Sequence, residues 1–225
     1  MSLFDEIDAS LFLEAGFIYE TELLSIMSKI VTCYEKIKVN GDKVLNNEDN
    51  IRDHLYCNYL NNPFIRNELD LSYKFECEPK EFGTAEGYLD FKVFNENIFR
   101  NTDEYYIIEC KRLNNKSRKS KSGLNGKYIK EGILRFVSKK YSAYHRINAM
   151  LGFIVESMDI GANIEDINYL LSSEFSEANA TKPITKIAHI ADFEFQYDSE
   201  HTDIEDKKLK LFHLMLDFSG HLSSN

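Results

Sequence analysis

The chain has 225 residues, 43% of them hydrophobic, and a formal net charge of −10 at pH 7. This length fits one domain with an ordinary core. Because no apolar run reaches about 18 residues, no membrane span is expected. The four cysteines form no C-x-x-C pair, which excludes a disulfide framework and a cysteine-rich zinc site. With an N-terminus unlike a secretory signal, they indicate reduced core thiols in a cytoplasmic protein.

The first part of the chain is predicted to be helical. Apolar residues at helical spacing predict two amphipathic helices between Ala9 and Lys38, with a break at Gly16. We therefore expect residues 1–40 to be a helical extension packed on a core formed by residues 41–225. Asn47 is expected to cap a further helix that stops before Pro63.

The rest of the chain alternates between strand and helix patterns, with a lysine-rich mobile loop predicted over residues 114–127. This order predicts an α/β fold with a mixed central sheet covered by helices on both faces. The expected strands are Leu69–Glu76, Gly87–Phe94, Tyr105–Lys111, Ala149–Val155, Phe193–Tyr197 and Leu209–Phe218, and the expected helices are Lys127–Ile147 and Asn163–Phe175.

Two of these strands carry charge where a core strand is normally apolar. On the strand that ends at Lys111, side chains alternate between faces, so Glu109 and Lys111 share one face. Asp90 lies on the preceding strand, and a hairpin would bring it beside them. Buried charges are costly unless they neutralise something. A divalent cation next to a phosphate would be neutralised by these side chains. The simpler alternative is an incidental ion pair at a strand end.

Hard cations such as Mg²⁺ take oxygen ligands and typically use one or two carboxylates with waters and phosphate oxygens. Asp90 and Glu109 are the natural carboxylates, and the backbone carbonyl of Cys110 is a candidate third ligand. Lys111, as a cation, would instead hold or deprotonate the attacking water or offset developing negative charge.

Asp90, Glu109 and Lys111 together resemble the motif of the PD-(D/E)xK, or restriction-endonuclease-like, nuclease superfamily. Leu89 stands where that motif usually has proline. The resemblance covers about half the chain and implies an αβββαβ core and Mg²⁺-dependent cleavage, with Mn²⁺ as a substitute. It also implies an extra acid on the first core helix. Glu48 is the candidate, and Asp49 or Asp53 are alternatives.

The charge of the chain is strongly polarised. Between Lys111 and Arg146 there are twelve Lys or Arg residues and one acid, Glu131. This basic block is either a solvated surface or a footprint for a phosphate backbone. In the second case the contacts would come from the loop and from the helix that follows it, through Lys116, Arg118, Lys119, Lys121 and Arg135.

The sequence therefore predicts a metal-dependent nuclease acting on DNA, of the kind that the resemblance links to prokaryotic defence or mobile elements. The alternatives are a non-catalytic binding or assembly protein with the same fold and an RNA-directed nuclease. Cutting both strands of a duplex would favour a homodimer. The N-terminal helices or the acidic surface are the expected contact for a partner protein.

Overall fold

The computed structural model describes residues 9–79, 88–95, 104–141 and 145–223. Helix α1 (Ala9–Asn40) is continuous, so the predicted break at Gly16 is wrong. A glycine in a helix costs only about 0.5–1 kcal/mol. The burial of the α1 face that contains Leu23, Ile26 and Ile30 outweighs this cost, because all three side chains are inaccessible to solvent.

Helix α2 (Glu48–Leu55) begins as predicted. The side chain of Asn47 accepts hydrogen bonds from the backbone N–H groups of Asp49 and Asn50, which otherwise lack helical partners. The helix continues into a π-helical turn, Tyr56–Leu60, and stops before Pro63. Pro63 is then the first residue of a short helix α3 (Pro63–Glu68). Proline suits this position because it lacks an N–H, and the N–H of a first helical residue has no acceptor within the helix.

Among the described residues, seven strands form one mixed sheet. The strands are β2 (Lys74–Cys77), β3 (Phe91–Phe94), β4 (Tyr106–Leu113), β5 (Ile147–Ile154), β6 (Ala180–Lys186), β7 (Gln196–Thr202) and β8 (Lys208–Asp217). Their order across the sheet is β2-β3-β4-β5-β8-β7-β6. Strands β4, β5 and β8 run parallel, and the other pairings are antiparallel. The predicted mixed α/β sheet is thus confirmed.

Helices cover both faces of this sheet, as the sequence predicts. Alternation along β4 sends Ile108 into a core shared with α1 and α2, and Ile107 into a second core. The second core is shared with the helical segment α4 (Leu124–Tyr128), a π-helical turn Ile129–Ile133 and α5 (Leu134–Val137), and with α6 (Ile160–Ser173). A small parallel pair, β1 (Val44–Leu45) and β9 (Leu222–Ser223), joins the segment between α1 and α2 to the C-terminal end of the described chain.

Several predicted boundaries are wrong. Strand β2 is shorter than predicted, β3 starts after Asp90, and β7 starts later than the predicted Phe193. The helix predicted over Lys127–Ile147 already begins at Leu124 and ends at Val137, and Gly87 lies outside the described residues. The cysteines are free, but Cys57 is exposed and Cys77 is half-buried, so they are not all core thiols.

Strand β6 was missed because its sequence, with Pro183 and two lysines, lacks a strand pattern. It forms one edge of the sheet, where proline is tolerated. The side chain of Asn168 on α6 accepts a hydrogen bond from the N–H of Ile184 and donates one to its carbonyl, each at 2.9 Å. No helix in the described part of the chain is long and apolar enough to cross a membrane.

Candidate functional site

The site lies where two strands diverge. Strand β3 pairs with β4 only as far as Phe91 opposite Ile108, and β4 continues through Glu109–Leu113 without it. Asp90, immediately before β3, lies at this fork. Its Oδ2 accepts a hydrogen bond of 2.7 Å from the backbone N–H of Cys110, which replaces the missing ladder bond. The predicted hairpin therefore brings Asp90 beside Glu109 and Lys111.

Oxygen atoms surround the ammonium of Lys111. Its Nζ lies 2.7 Å from Glu109 Oε1 and 3.8 Å from Asp90 Oδ2. The same nitrogen donates a hydrogen bond of 2.7 Å to the backbone carbonyl of Cys110. Asp90, Glu109 and Lys111 are all buried, so these charges interact with little screening by water.

The first core helix adds a third carboxylate. Glu48 Oε1 accepts a hydrogen bond of 3.0 Å from Lys111 Nζ, and its Oε2 accepts one of 3.0 Å from the backbone N–H of Arg112. Glu48 is thus the acid of α2 that reaches the site. The sequence-level alternatives Asp49 and Asp53 instead contact a neighbouring arginine of the same helix.

That arginine, Arg52, is a site residue that the sequence analysis missed. It lies one turn after Glu48, on the same side of α2, and only 3% of it is exposed. Its Nη1 donates a hydrogen bond of 2.9 Å to Asp90 Oδ1. The i, i+4 spacing from Glu48 was the available signal.

Glu109 is held by two further side chains. Arg135 Nη1 donates to Glu109 Oε1 at 2.6 Å, and the hydroxyl of Tyr141 donates to Glu109 Oε2 at 2.8 Å. Arg135, which the sequence analysis assigned to phosphate contact, is therefore engaged with a carboxylate, although 29% of its side chain is exposed. Tyr141 has no sequence signal beyond an apolar helical pattern, and its role was missed.

The pKa values of Glu109 and Lys111 are both raised at this site. Burial, and then the charge of Asp90, raise the pKa of Glu109 to about 7, although Lys111 and Arg135 act to lower it. Burial acts to lower the pKa of Lys111, but the charges of Glu109, Asp90 and Glu48 outweigh it and raise that pKa. The three carboxylates around Lys111 thus favour its charged form, whereas burial favours the neutral form of Glu109.

The donor set suits a hard cation. Asp90, Glu109 and the Cys110 carbonyl contribute only oxygen atoms, which Mg²⁺ prefers, and they already surround a positive charge on Lys111. Among the described residues, no three His, Cys, Asp or Glu side chains are grouped to form a metal cage. A Mg²⁺ site with one or two carboxylates and a substrate phosphate does not require such a cage.

The predicted phosphate-binding loop is paired with acids of the chain itself. Arg118 Nη2 lies 2.5 Å from Asp166 on α6, and Lys119 Nζ lies 3.4 Å from the same carboxylate. Lys116 and Lys121 pair in the same way with Glu156 and Glu174. The three lysines remain more than half exposed, whereas Arg118 is 25% exposed. Arg118 is thus the least available of the four for a phosphate.

A second buried polar network lies away from this site. His213 hydrogen-bonds the hydroxyls of Tyr128 and Ser199, each at 2.8 Å, and Ser199 in turn bonds His201 at 2.9 Å. Burial, and then the neighbouring His201, lower the pKa of His213 to about 3. These groups satisfy one another inside the core. Comparison with protein-family models, with curated proteins and with solved structures found no match to this chain.

Proposed function

We propose that this protein is a metal-dependent nuclease, a Mg²⁺-dependent phosphodiester hydrolase acting on DNA. The observation that carries the proposal is the convergence of three carboxylates on one ammonium. Glu48, Asp90 and Glu109 come from a helix, a loop end and a strand, and all three contact Lys111. An incidental ion pair requires one acid, so three acids from separate elements support a functional site.

The element order supports the restriction-endonuclease-like core within this proposal. Helix α2 precedes the antiparallel strands β2, β3 and β4, and the helical segment α4–α5 leads to β5, parallel to β4. This is the αβββαβ order that the resemblance implies. Strands β6 to β8 extend the sheet beyond this core.

The proposed roles follow from the contacts. Asp90, Glu109 and the Cys110 carbonyl hold Mg²⁺, which when bound stabilises negative charge on the phosphate and activates water. Lys111, as a hydrogen-bond donor, holds the attacking water or a phosphate oxygen. Glu48 holds Lys111 from the side of α2, and Arg135 with Tyr141 orients the Glu109 carboxylate.

A non-catalytic binding or assembly protein is the second candidate, and a specific observation favours it. The three site carboxylates are matched by three cations, Arg52, Lys111 and Arg135. Such an internally neutralised cluster needs neither a metal nor a substrate to balance its charge. In this case the acidic surface of the protein would engage a partner, and no hydrolysis would occur.

A cleavage assay separates the two candidates. Purified protein with Mg²⁺ or Mn²⁺ is incubated with plasmid, single-stranded DNA and RNA, alongside Lys111→Ala and Lys127→Ala. Lys127 is an exposed lysine of α4 and serves as the matched control. We expect metal-dependent cleavage of DNA that Lys111→Ala abolishes and Lys127→Ala retains. No cleavage by the wild-type protein, or equal cleavage by Lys111→Ala, contradicts the nuclease assignment; cleavage of RNA alone corrects the substrate.

The same reactions test the proposed assembly. One site cuts one strand, so a nuclease that linearises plasmid in a single encounter is expected to be a homodimer. Sedimentation of the protein with and without DNA measures this directly.

A further inference from the structure

We infer that Arg52 is a positioning residue that holds Asp90 in the orientation needed to bind a divalent metal, which rests on the proposed function of the site. Of the described residues that surround Lys111, Asp90 is the one that Arg52 hydrogen-bonds. Its effect on the site would therefore be exerted through that carboxylate.

The two oxygens of Asp90 are fixed from opposite elements. Arg52 on α2 donates to Oδ1 at 2.9 Å, and the Cys110 N–H on β4 donates to Oδ2 at 2.7 Å. Asp90 itself belongs to a loop end, because β3 begins only at Phe91. Without Arg52 one hydrogen bond would remain, and the carboxylate would be free to rotate about it.

Arg52 is itself fixed by other acids. Its Nε and Nη2 both lie within 3.0 Å of Asp53 Oδ1, and Nη2 donates to Glu78 Oε1 at 2.9 Å. Asp49 lies 3.3 Å from Nη1. A guanidinium presents its donors in a rigid fork, so these contacts set the direction in which Nη1 points. The arginine therefore connects Asp90 to Glu78, the residue that follows β2, through fixed geometry.

This arrangement has a recognised physical consequence. Groups that hydrogen-bond a metal ligand orient it, and removing one typically weakens metal binding by about 10–100-fold. Arg52 also neutralises charge near Asp90. If Arg52 only neutralised Asp90, its positive charge would disfavour metal binding. If Arg52 orients the Asp90 carboxylate, it favours metal binding. The two roles thus predict changes of opposite sign when Arg52 is replaced.

Mn²⁺ affinity, measured by electron paramagnetic resonance on the full chain, distinguishes these roles. We expect Arg52→Met to bind Mn²⁺ about 10–100-fold more weakly than the wild type. Arg52→Lys keeps the charge without the fork and should fall between them. Arg66→Met is the matched control, because Arg66 donates to the backbone carbonyls of Leu60 and Leu71, away from Asp90. Its affinity should equal that of the wild type.

A double-mutant cycle with Asp90→Asn tests whether Arg52 acts through Asp90. In the Asp90→Asn background, Arg52→Met should change the Mn²⁺ affinity by less than about threefold. Equal losses in both backgrounds, or unchanged or tighter binding by Arg52→Met alone, would overturn the inference. If the wild type cleaves nothing but Arg52→Met binds Mn²⁺ more weakly than the wild type, the role of Arg52 is supported and the nuclease assignment fails. If the wild type cleaves DNA and Arg52→Met leaves the Mn²⁺ affinity unchanged, the inference about Arg52 is refuted and the nuclease assignment stands.

Discussion

Replacing Glu109 with glutamine should stabilise the metal-free protein, and the gain should grow with pH. The folded-state pKa of Glu109 is raised from 4.5 to about 7 by burial and by Asp90. The folded chain therefore holds a proton that the unfolded chain releases between these values, so this group lowers stability as pH rises. At about 1.4 kcal/mol per pKa unit, the cost is absent below pH 4.5 and reaches about 3 kcal/mol above pH 7.

Glutamine mimics the protonated acid, so Glu109→Gln avoids this cost. Urea unfolding in the presence of a chelator, at pH 5.5 and 8.5, should show the advantage of the variant growing by about 2 kcal/mol between the two values. Glu131→Gln, on the helical segment nearby, is the control and should show no such growth. If Glu109→Gln were less stable than the wild type at pH 8.5, ionised Glu109 would be net stabilising. The reasoning from burial would then be refuted.

Four further results are expected. His213, with a pKa of about 3 in the fold against 6.5 unfolded, should cost about 2 kcal/mol of stability between pH 7 and pH 5 as the unfolded chain takes up its proton. Urea unfolding of His213→Gln should lose this dependence, and an unchanged pH slope would contradict it. A Cβ at Gly126 would lie 2.1 Å from the Lys121 carbonyl oxygen, so Gly126→Ala should lower the unfolding free energy by roughly 1–3 kcal/mol. A Cβ at Gly16 would meet open space, so Gly16→Ala should raise the unfolding free energy by roughly 0.5–1 kcal/mol. A lower unfolding free energy for Gly16→Ala would instead support the helix break that the sequence predicts. Asp166→Asn removes the acidic partner of Arg118 and Lys119. DNA affinity, measured by fluorescence anisotropy, should then fall more steeply with salt, by about 0.7–0.9 in the slope of log affinity against log salt concentration for each added phosphate contact. An unaltered slope would leave the loop as solvated surface.

The parts of the fold that the sequence predicted are those with a strong local signal. The Asn47 cap, the buried strand β5 and helix α6 each combine a periodic apolar pattern with a clear start or stop. The parts that were wrong depend on tertiary contacts. Gly16 lies within α1 because the helix packs on the sheet, and β6 is a strand because β7 and Asn168 satisfy its backbone.

The residues of the candidate site also divide into those with a local sequence signal and those that depend on tertiary contacts. Asp90, Glu109 and Lys111 stand out because charge interrupts apolar strands, and their convergence follows from one hairpin. Arg52 and Tyr141 bond to those carboxylates from other elements, and such pairings depend on how the elements pack. The neutralising partners of the basic loop, such as Asp166, are likewise distant in sequence and were not predictable from it.

The contact of Asn168 with Ile184 has a consequence for association between copies of the chain. An open strand at the margin of a sheet can template the addition of a strand from another molecule. Here one amide occupies both backbone groups of Ile184, and the neighbouring Pro183 has no N–H to offer. Intermolecular strand addition is thereby opposed at the centre of β6, so we expect no extension of the sheet from this edge.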